Sequence, residues 1–495
     1  MLYILAQTND PLLISQAMRM FSDLIFTSVK IMNNDVPVII LAMISLAAFF
    51  TLYFKGVNIW GFTHALRLVK GDFSNKDAPG EVSHFAALCT AVAGTVGVGN
   101  IGAVAIAIFL AGPGACFWII IAGLLGMTTK FVECTLGVMY REENADGSIS
   151  GGPMYYLKKG LAERGFRSLG KVLGTTYAIA MTVGCLGSGN MFQSNQAFEQ
   201  ILVVTGGEES FFANRGWLFG VILASVIGMV IIGGIKGIAR ITSKLVPLMA
   251  GLYIFGALAI LTLNAAFIPS AVEKILEGAF RAESISGGVF FVIFMAFKRA
   301  VFSNEAGVGS AAVVHSTVQT DQPVTEGFVA LLEPFIDTVV ICTLTSLVIV
   351  TTMVSEPQFA DQMTAGGALV GIQMTSKAFA YKFELAPYFI AIISLLFCVS
   401  TILSWSYYGL KAWIYLVGEG KKRALFYNIF YCGFIALGCI LKLDIVLDFS
   451  DALIYFLCIP NFVGLYFLAP TVRKELIKYW KLIKGEQVAH KGVAL

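Results

Sequence analysis

AGTVGVGNIGAVA, residues 93–105, decides how the chain is read. Its centre, GVGNIG from Gly97 to Gly102, spells the G-x-G-x-x-G of a dinucleotide-binding turn. Such a turn follows a strand, opens an amphipathic helix and is answered by an acid about 20 residues later. Here it lies inside an apolar run, and no Asp or Glu occurs between Glu81 and Glu133. A packing face is a simpler reading of Gly94, Gly97 and Gly102, because small residues let membrane helices approach closely. That reading leaves Thr95 and Asn100 unexplained, and each glycine costs a helix about 1 kcal/mol relative to alanine. A helix broken at membrane depth accounts for all of these residues. Unwound backbone is tolerated there only where it is buried in protein or lines a cavity, and it then offers N–H and C=O groups to a ligand.

The rest of the chain supports a bilayer setting. Of 495 residues, 57% are hydrophobic and 13% charged, too little charge to cover a soluble protein of this length. A net charge of +3 gives no footprint for nucleic acid. The nine cysteines are scattered singly, with no C-x-x-C and no Cys/His cluster, and read as packing residues. MLYILAQTNDPLLISQAMRMF at the start lacks a basic head and a cleavage site, so no cleaved signal peptide is expected.

Runs long enough to cross the hydrocarbon, about 20 residues each, fall near 36–54, 84–112, 115–140, 174–203, 216–234, 246–264, 288–312, 328–353, 386–417, 424–441 and 450–470. The expected fold is therefore an all-α multi-pass membrane protein of about eleven transmembrane helices. Basic residues gather in alternate loops: Lys55 to Lys76, Arg141 to Lys171, Lys236 to Lys244, Lys421 to Arg423, and the tail from Arg473. This bias puts the N-terminus outside and the C-terminus in the cytoplasm, in the plasma (cell inner) membrane.

A transporter that uses one broken helix should have a second. AVFSNEAGVGSAAVV, residues 300–314, interrupts the seventh span with Ser303, Asn304, Glu305, Gly307 and Gly309. It lies five spans after the first break, so the two run in opposite directions, as in an inverted-repeat secondary transporter. The chain then divides into an extracytoplasmic segment 1–35, a first helix 36–54, five-helix repeats 84–264 and 288–470, and a cytoplasmic tail 471–495.

Other polar residues sit at the same depth. In the fourth span, Asn190 and Gln193 are three apart on one helical face, suited either to interhelical hydrogen bonding or to a ligand. In the ninth, Ser400 and Thr401 with loosened carbonyls make a hard oxygen set for a small cation. Trp405 is one turn further along, placed to close over a small ligand or an ammonium group. Unpaired charge is costly at this depth. Arg299 is therefore expected to meet Glu305, Glu333 or Asp337 near the inner gate, and Lys130 to pair with Glu133 three residues on.

TVGVGNIGAVAIAIFLAGPGACFW, GGPMYYL, SGNMFQ, GGIKGIARITSKLVP, FSNEAGVGS, FIDTVVICTLTSLVI and STILSWSYYG occur in this order between about residues 50 and 470. Together they resemble the alanine/glycine:cation symporter family. The resemblance implies a leucine-transporter-like fold of the amino acid–polyamine–organocation superfamily and import of a small neutral amino acid with Na⁺, or in some members H⁺. It implies a substrate between the breaks. The carboxylate would face Thr95, Val98, Gly99 and Asn100, and the ammonium would face Asn190, Gln193, Ser303, Asn304, Gly307 and Trp405. Na⁺ would lie among Gly97, Phe397, Ser400 and Thr401, with no resident cofactor. Two departures stand out. Val98 replaces the threonine of many members, and Glu333 adds a carboxylate where many are apolar, either altering the coupling ion or pairing Lys298. The rival reading is a channel or a membrane sensor; a channel usually needs a charged ring or filter loop. His64, His84, His315 and His490 show no ligand spacing, which argues against a membrane enzyme. The amino acid preferred and the oligomeric state are not encoded in these motifs.

Overall fold

A computed structural model describes residues 20–31, 34–73, 75, 77–281, 288–364 and 371–492. The reading of the first residues, 1–19, as uncleaved lies outside them. After a β-hairpin pairing Ser28–Ile31 with Asn34–Pro37, the chain is almost wholly helical. The main helices are α1 (Val38–Tyr53), α2 (Phe62–Lys70), α3 (His84–Thr95), α4 (Gly99–Ala111), α5 (Ala115–Met139) and α6 (Pro153–Glu163). Then follow α7 (Arg167–Val204), α8 (Gly216–Ile231), α9 (Gly234–Leu263), α10 (Ile268–Phe280), α11 (Gly288–Asn304) and α12 (Ala311–His315). The last four are α13 (Pro323–Ser355), α14 (Ala386–Val417), α15 (Lys421–Gly438) and α16 (Leu443–Gly492).

All eleven sequence windows contain helix. Six helices (α5, α7, α9, α13, α14 and α16) are long and apolar enough to cross a bilayer by themselves, and α3 with α4 forms one bent span. Around them the outer surface is apolar, with Leu52, Met229, Phe255 and Ile429 exposed, as a lipid-facing surface requires. The buried polar residues gather instead in the interior, at the ends of α3, α4, α11 and α12. α5 runs beside this region, packing on α11, α12 and α13.

Two features go beyond the sequence reading. The segment expected as a tail continues α16 through residue 492, because Val472, Leu476, Tyr479 and Ile483 recur on one helical face and are buried. α7 and α13 each contain a π-helical turn, at Gly187–Met191 and Phe335–Cys342. Such turns add a residue and re-aim side chains, and they concentrate at functional sites.

Candidate functional site

α3 and α4 are separated by Val96–Val98 and bent by 40°. The amides released there are satisfied by side chains. Gly97 N donates to Asn100 Oδ1 at 2.9 Å, and Val98 N donates to Gln193 Oε1 at 2.9 Å. Gln193 in turn donates to Ser188 O at 2.9 Å, within the π-turn of α7. Thr95 Oγ1 lies 3.3 Å from Val92 O. Phe302 faces Gly99 and packs edge-on to Phe192, with ring centres 5.0 Å apart.

The second break runs from Glu305 to Ser310. Glu305 (φ 56°), Gly307 (φ 94°) and Gly309 (φ 84°) all adopt left-handed backbone. Glycine takes this conformation freely, whereas Glu305 stores strain of about 1–3 kcal/mol that its surroundings must hold. They do so with Ala306 N on Asn304 Oδ1 (3.0 Å), Tyr177 OH on Val308 O (2.8 Å) and Asn461 Nδ2 on Gly307 O (2.8 Å).

Two bridges join the breaks. Asp337, in the π-turn of α13, accepts from Asn100 Nδ2 at 2.6 Å, Ser303 Oγ at 2.8 Å and Thr338 Oγ1 at 2.6 Å. Asn304 Nδ2 donates to Thr338 Oγ1 at 3.0 Å. In the other bridge, Trp405 Nε1 is shared between Gly94 O (3.2 Å) and Glu305 Oε1 (3.0 Å). Glu305 also accepts from Ser310 Oγ.

Thr401 Oγ1 is buried without a hydrogen-bond partner among the described residues. A methyl group on Gly97 would lie 2.7 Å from it and 2.8 Å from Gln193 Oε1, so these oxygens converge on the first break. An orphaned buried oxygen beside unwound backbone fits a desolvated small cation, which Gly97 and Thr401 could hold. Ser400 Oγ instead donates to Phe397 O at 2.9 Å. Cys134, His315 and Glu333 also bring ligand atoms within 4.8 Å of one another, but Lys130 and Glu326 already engage two of the three.

Several expected partners are corrected. Arg299 pairs with none of Glu305, Glu333 or Asp337. It forms a two-point contact with Asp451 (3.1 and 2.8 Å), which Lys298 joins at 2.9 Å. Lys130 bonds Glu333 at 3.1 Å rather than Glu133, which accepts from Asn461 Nδ2 at 2.8 Å. Glu333 accordingly does not pair with Lys298. Asn190 lies within the π-turn of α7, and its Nδ2 donates to Tyr431 O at 2.8 Å, the interhelical bond that was one of its two expected roles.

At the basic end the breaks are closed off. Glu81 N donates to Thr317 O at 2.7 Å and Gln319 N to Val82 O at 2.9 Å. Arg141 spans both segments, donating to the carbonyls of Pro79, Ser316, Val318 and Thr320 at 2.7–3.1 Å. Deeper in, Glu326 accepts from or bonds both His84 and His315, and His315 Nε2 reaches Glu333 Oε1 at 2.6 Å. Sequence reasoning missed Asp451, Asn461, Arg141, His84, His315 and Glu326. Its one available signal was the presence of buried-type charges without a local partner.

Comparison with known proteins agrees with this geometry. The model of the sodium:alanine symporter family matches residues 18–491. The sodium/alanine symporter AgcS of Methanococcus maripaludis is 34% identical over 452 residues, covering 91% of this chain and 96% of that protein. A probable sodium/glutamine symporter, GlnT of Bacillus subtilis, is 32% identical over 449 residues, covering 90% and 88%. Among solved structures, MhsT in complex with L-phenylalanine superposes with a TM-score of 0.55 at 16% identity, over 81% of this chain and 99% of that one. That likeness shows the fold, the leucine-transporter-like arrangement expected from the motifs.

Proposed function

The chain belongs to the sodium:alanine symporter family, a membrane transporter and not an enzyme, and from that premise we propose that it imports a small neutral amino acid, alanine or glycine, together with Na⁺. Na⁺-coupled amino-acid transport follows from the family; the choice of substrate is our reading. The observation that carries it is the pairing of two adjacent breaks, the first of them free of ionisable residues, with the orphaned Thr401 hydroxyl beside Gly97. A zwitterion supplies both of its own charges, so it suits a first break that has no ionisable residue. Phe302 and Phe192 wall the space over Gly99, which favours a short side chain.

In this reading the substrate carboxylate takes amides at the start of α4, where the helix dipole is positive. Its ammonium faces Trp405 and the carbonyls of the second break. Na⁺ sits between Gly97 and Thr401, and the Asp337 carboxylate offers a second hard oxygen position joined to both breaks. The basic end faces the cytoplasm, and rocking of the helices about the breaks opens each side in turn.

Proteoliposomes loaded with or without a Na⁺ gradient test this with labelled alanine. Saturable uptake that needs Na⁺, and exchange of internal for external alanine, is the expected result. Glutamine, after the GlnT relative, and D-alanine are the competitors to include, and an H⁺ gradient is the alternative drive. Non-saturating flux without exchange would favour a channel instead.

A further inference from the structure

The basic end holds a buried chain of ionisable groups in the order His84–Glu326–His315–Glu333–Lys130, each bonded to the next. None of the five is appreciably exposed. His84 opens α3, the basic-end half of the first broken span, and His315 closes α12, the corresponding half of the second. Glu326 touches both, through one carboxylate oxygen each.

The hydrogen-bond inventory fixes a proton count. A neutral imidazole has one donor and one acceptor, and an ionised carboxylate only accepts. Both ring nitrogens of His315 meet carboxylate oxygens, Nδ1 on Glu326 and Nε2 on Glu333. This arrangement is satisfied only when one proton is added beyond neutral histidine and two carboxylates. With that proton on His315, the charges of Lys130, His315, Glu326 and Glu333 cancel; without it, a net negative charge is left among fully buried side chains, where unpaired charge is strongly disfavoured.

We propose that His315 is a proton-binding site whose occupancy fastens the basic-end halves of both broken helices to Glu326. Loss of the proton leaves an acceptor facing an acceptor, so the fastening yields and α3 and α12 separate toward water. Charged and titratable neighbours face the site from the elements packed around it. From α5, Lys130, Glu133 and Cys134 face the site, and Tyr408 of α14 and Glu305 of the second break lie within electrostatic reach. Arg141 does the same from the closing strap. The proton site stands on geometry alone; its role as a gate latch rests on the transport reading.

Hydrogen–deuterium exchange on the full-length protein in detergent is the test, reading peptides from 79–90 and 311–322 between pH 6 and about 10.5 and correcting for intrinsic exchange. Wild-type protection of both peptides is expected to fall at least tenfold as pH rises. Glu326→Gln removes one acid, so a neutral His315 can donate to Glu333 and accept from the amide. That variant should fold and show protection independent of pH. His315→Gln should behave likewise. Flat wild-type protection, or the same pH response in Glu326→Gln, would overturn the proposal. Uptake of labelled alanine, measured separately, decides the transport reading whichever way exchange falls.

Discussion

Gly189→Ala is a small change with a large expected effect. A methyl group there would lie 2.5 Å from Trp405 Cβ and closer still to Cγ and Cδ2 of the ring, against about 3.5–4.0 Å for carbons in contact. The indole must therefore withdraw by about 1 Å or more. Its Nε1 now sits 3.0 Å from Glu305 and 3.2 Å from Gly94 O, and such a shift takes both beyond hydrogen-bond range. A bond to a carboxyl group is worth about 1.5–3 kcal/mol, which is roughly a 10- to 150-fold loss of affinity. Uptake kinetics should show KM for alanine raised by that factor in protein that still elutes as a folded species. Gly184→Ala on the same helix meets only the tip of Leu457, at 3.2 Å, and should stay within about threefold of wild type, as expected of a contact that a flexible side chain relieves. Trp405→Phe loses the same bonds without the clash, so combining it with Gly189→Ala should add less than the sum of the two losses. An unchanged KM in Gly189→Ala, or full additivity, would refute the claim that the indole bridge holds the breaks together.

Thr401→Ala removes a hydroxyl that bonds nothing among the described residues; folding should cost under about 1 kcal/mol, while half-saturation by Na⁺ rises about tenfold, and Thr401→Ser should restore it in the same titration. Asp337→Asn keeps shape but turns an amide toward donors from both breaks, so uptake should fall about tenfold or more in protein that remains monodisperse by size exclusion. Arg299→Met leaves Asp451 with only Lys298, at 2.9 Å; breaking a buried pair costs about 3–5 kcal/mol, read as a lower melting temperature in detergent. His64 on α2 is pushed down to about 4 by burial and then by Arg67. The unfolded chain then binds the proton first, so stability is full above the ordinary histidine range, near 6.5, and declines as pH falls toward 4; melting curves of His64→Gln should lose that slope.

The breaks were legible because helix interruption is a local matter. Thr95, Asn100 and the glycines between them cannot all sit well in a helix, and the chain leaves it at Val96–Val98. Ser303 to Gly309 behaved the same way. Ion pairs were not legible, because a charge chooses its partner in three dimensions. Arg299 finds Asp451, 152 positions away, at the first residues of the last window, where sequence reading saw only a span boundary. The four histidines seemed unrelated by spacing, yet the opposed course of the two broken spans brings His84 and His315 to one carboxylate. Asn190, left open between interhelical bonding and a ligand, makes the interhelical bond, to Tyr431 O, from within the π-turn at Gly187–Met191.

The bonds already present at the breaks bear on how ion and substrate help each other. Gln193 occupies the Val98 amide and Asn100 the Gly97 amide. In the proposed binding mode a substrate carboxylate reaching these donors must displace neutral carbonyl oxygens, and it gains because charge-assisted bonds are roughly twice as strong. In the same proposal Na⁺ meets no such competitor at Thr401, whose hydroxyl is unpartnered among the described residues. The ion can therefore enter without breaking a protein bond, whereas the amino acid cannot. Once seated beside Gly97, its positive charge raises the attraction of the neighbouring amides for an anion and draws Gln193 Oε1, 2.9 Å from Val98 N, toward itself. Ion entry thus lowers the barrier to the exchange that the carboxylate requires. Because coupling between two binding sites is reciprocal, the bound amino acid must hold the ion by the same factor, and that mutual grip is what ties one flux to the other.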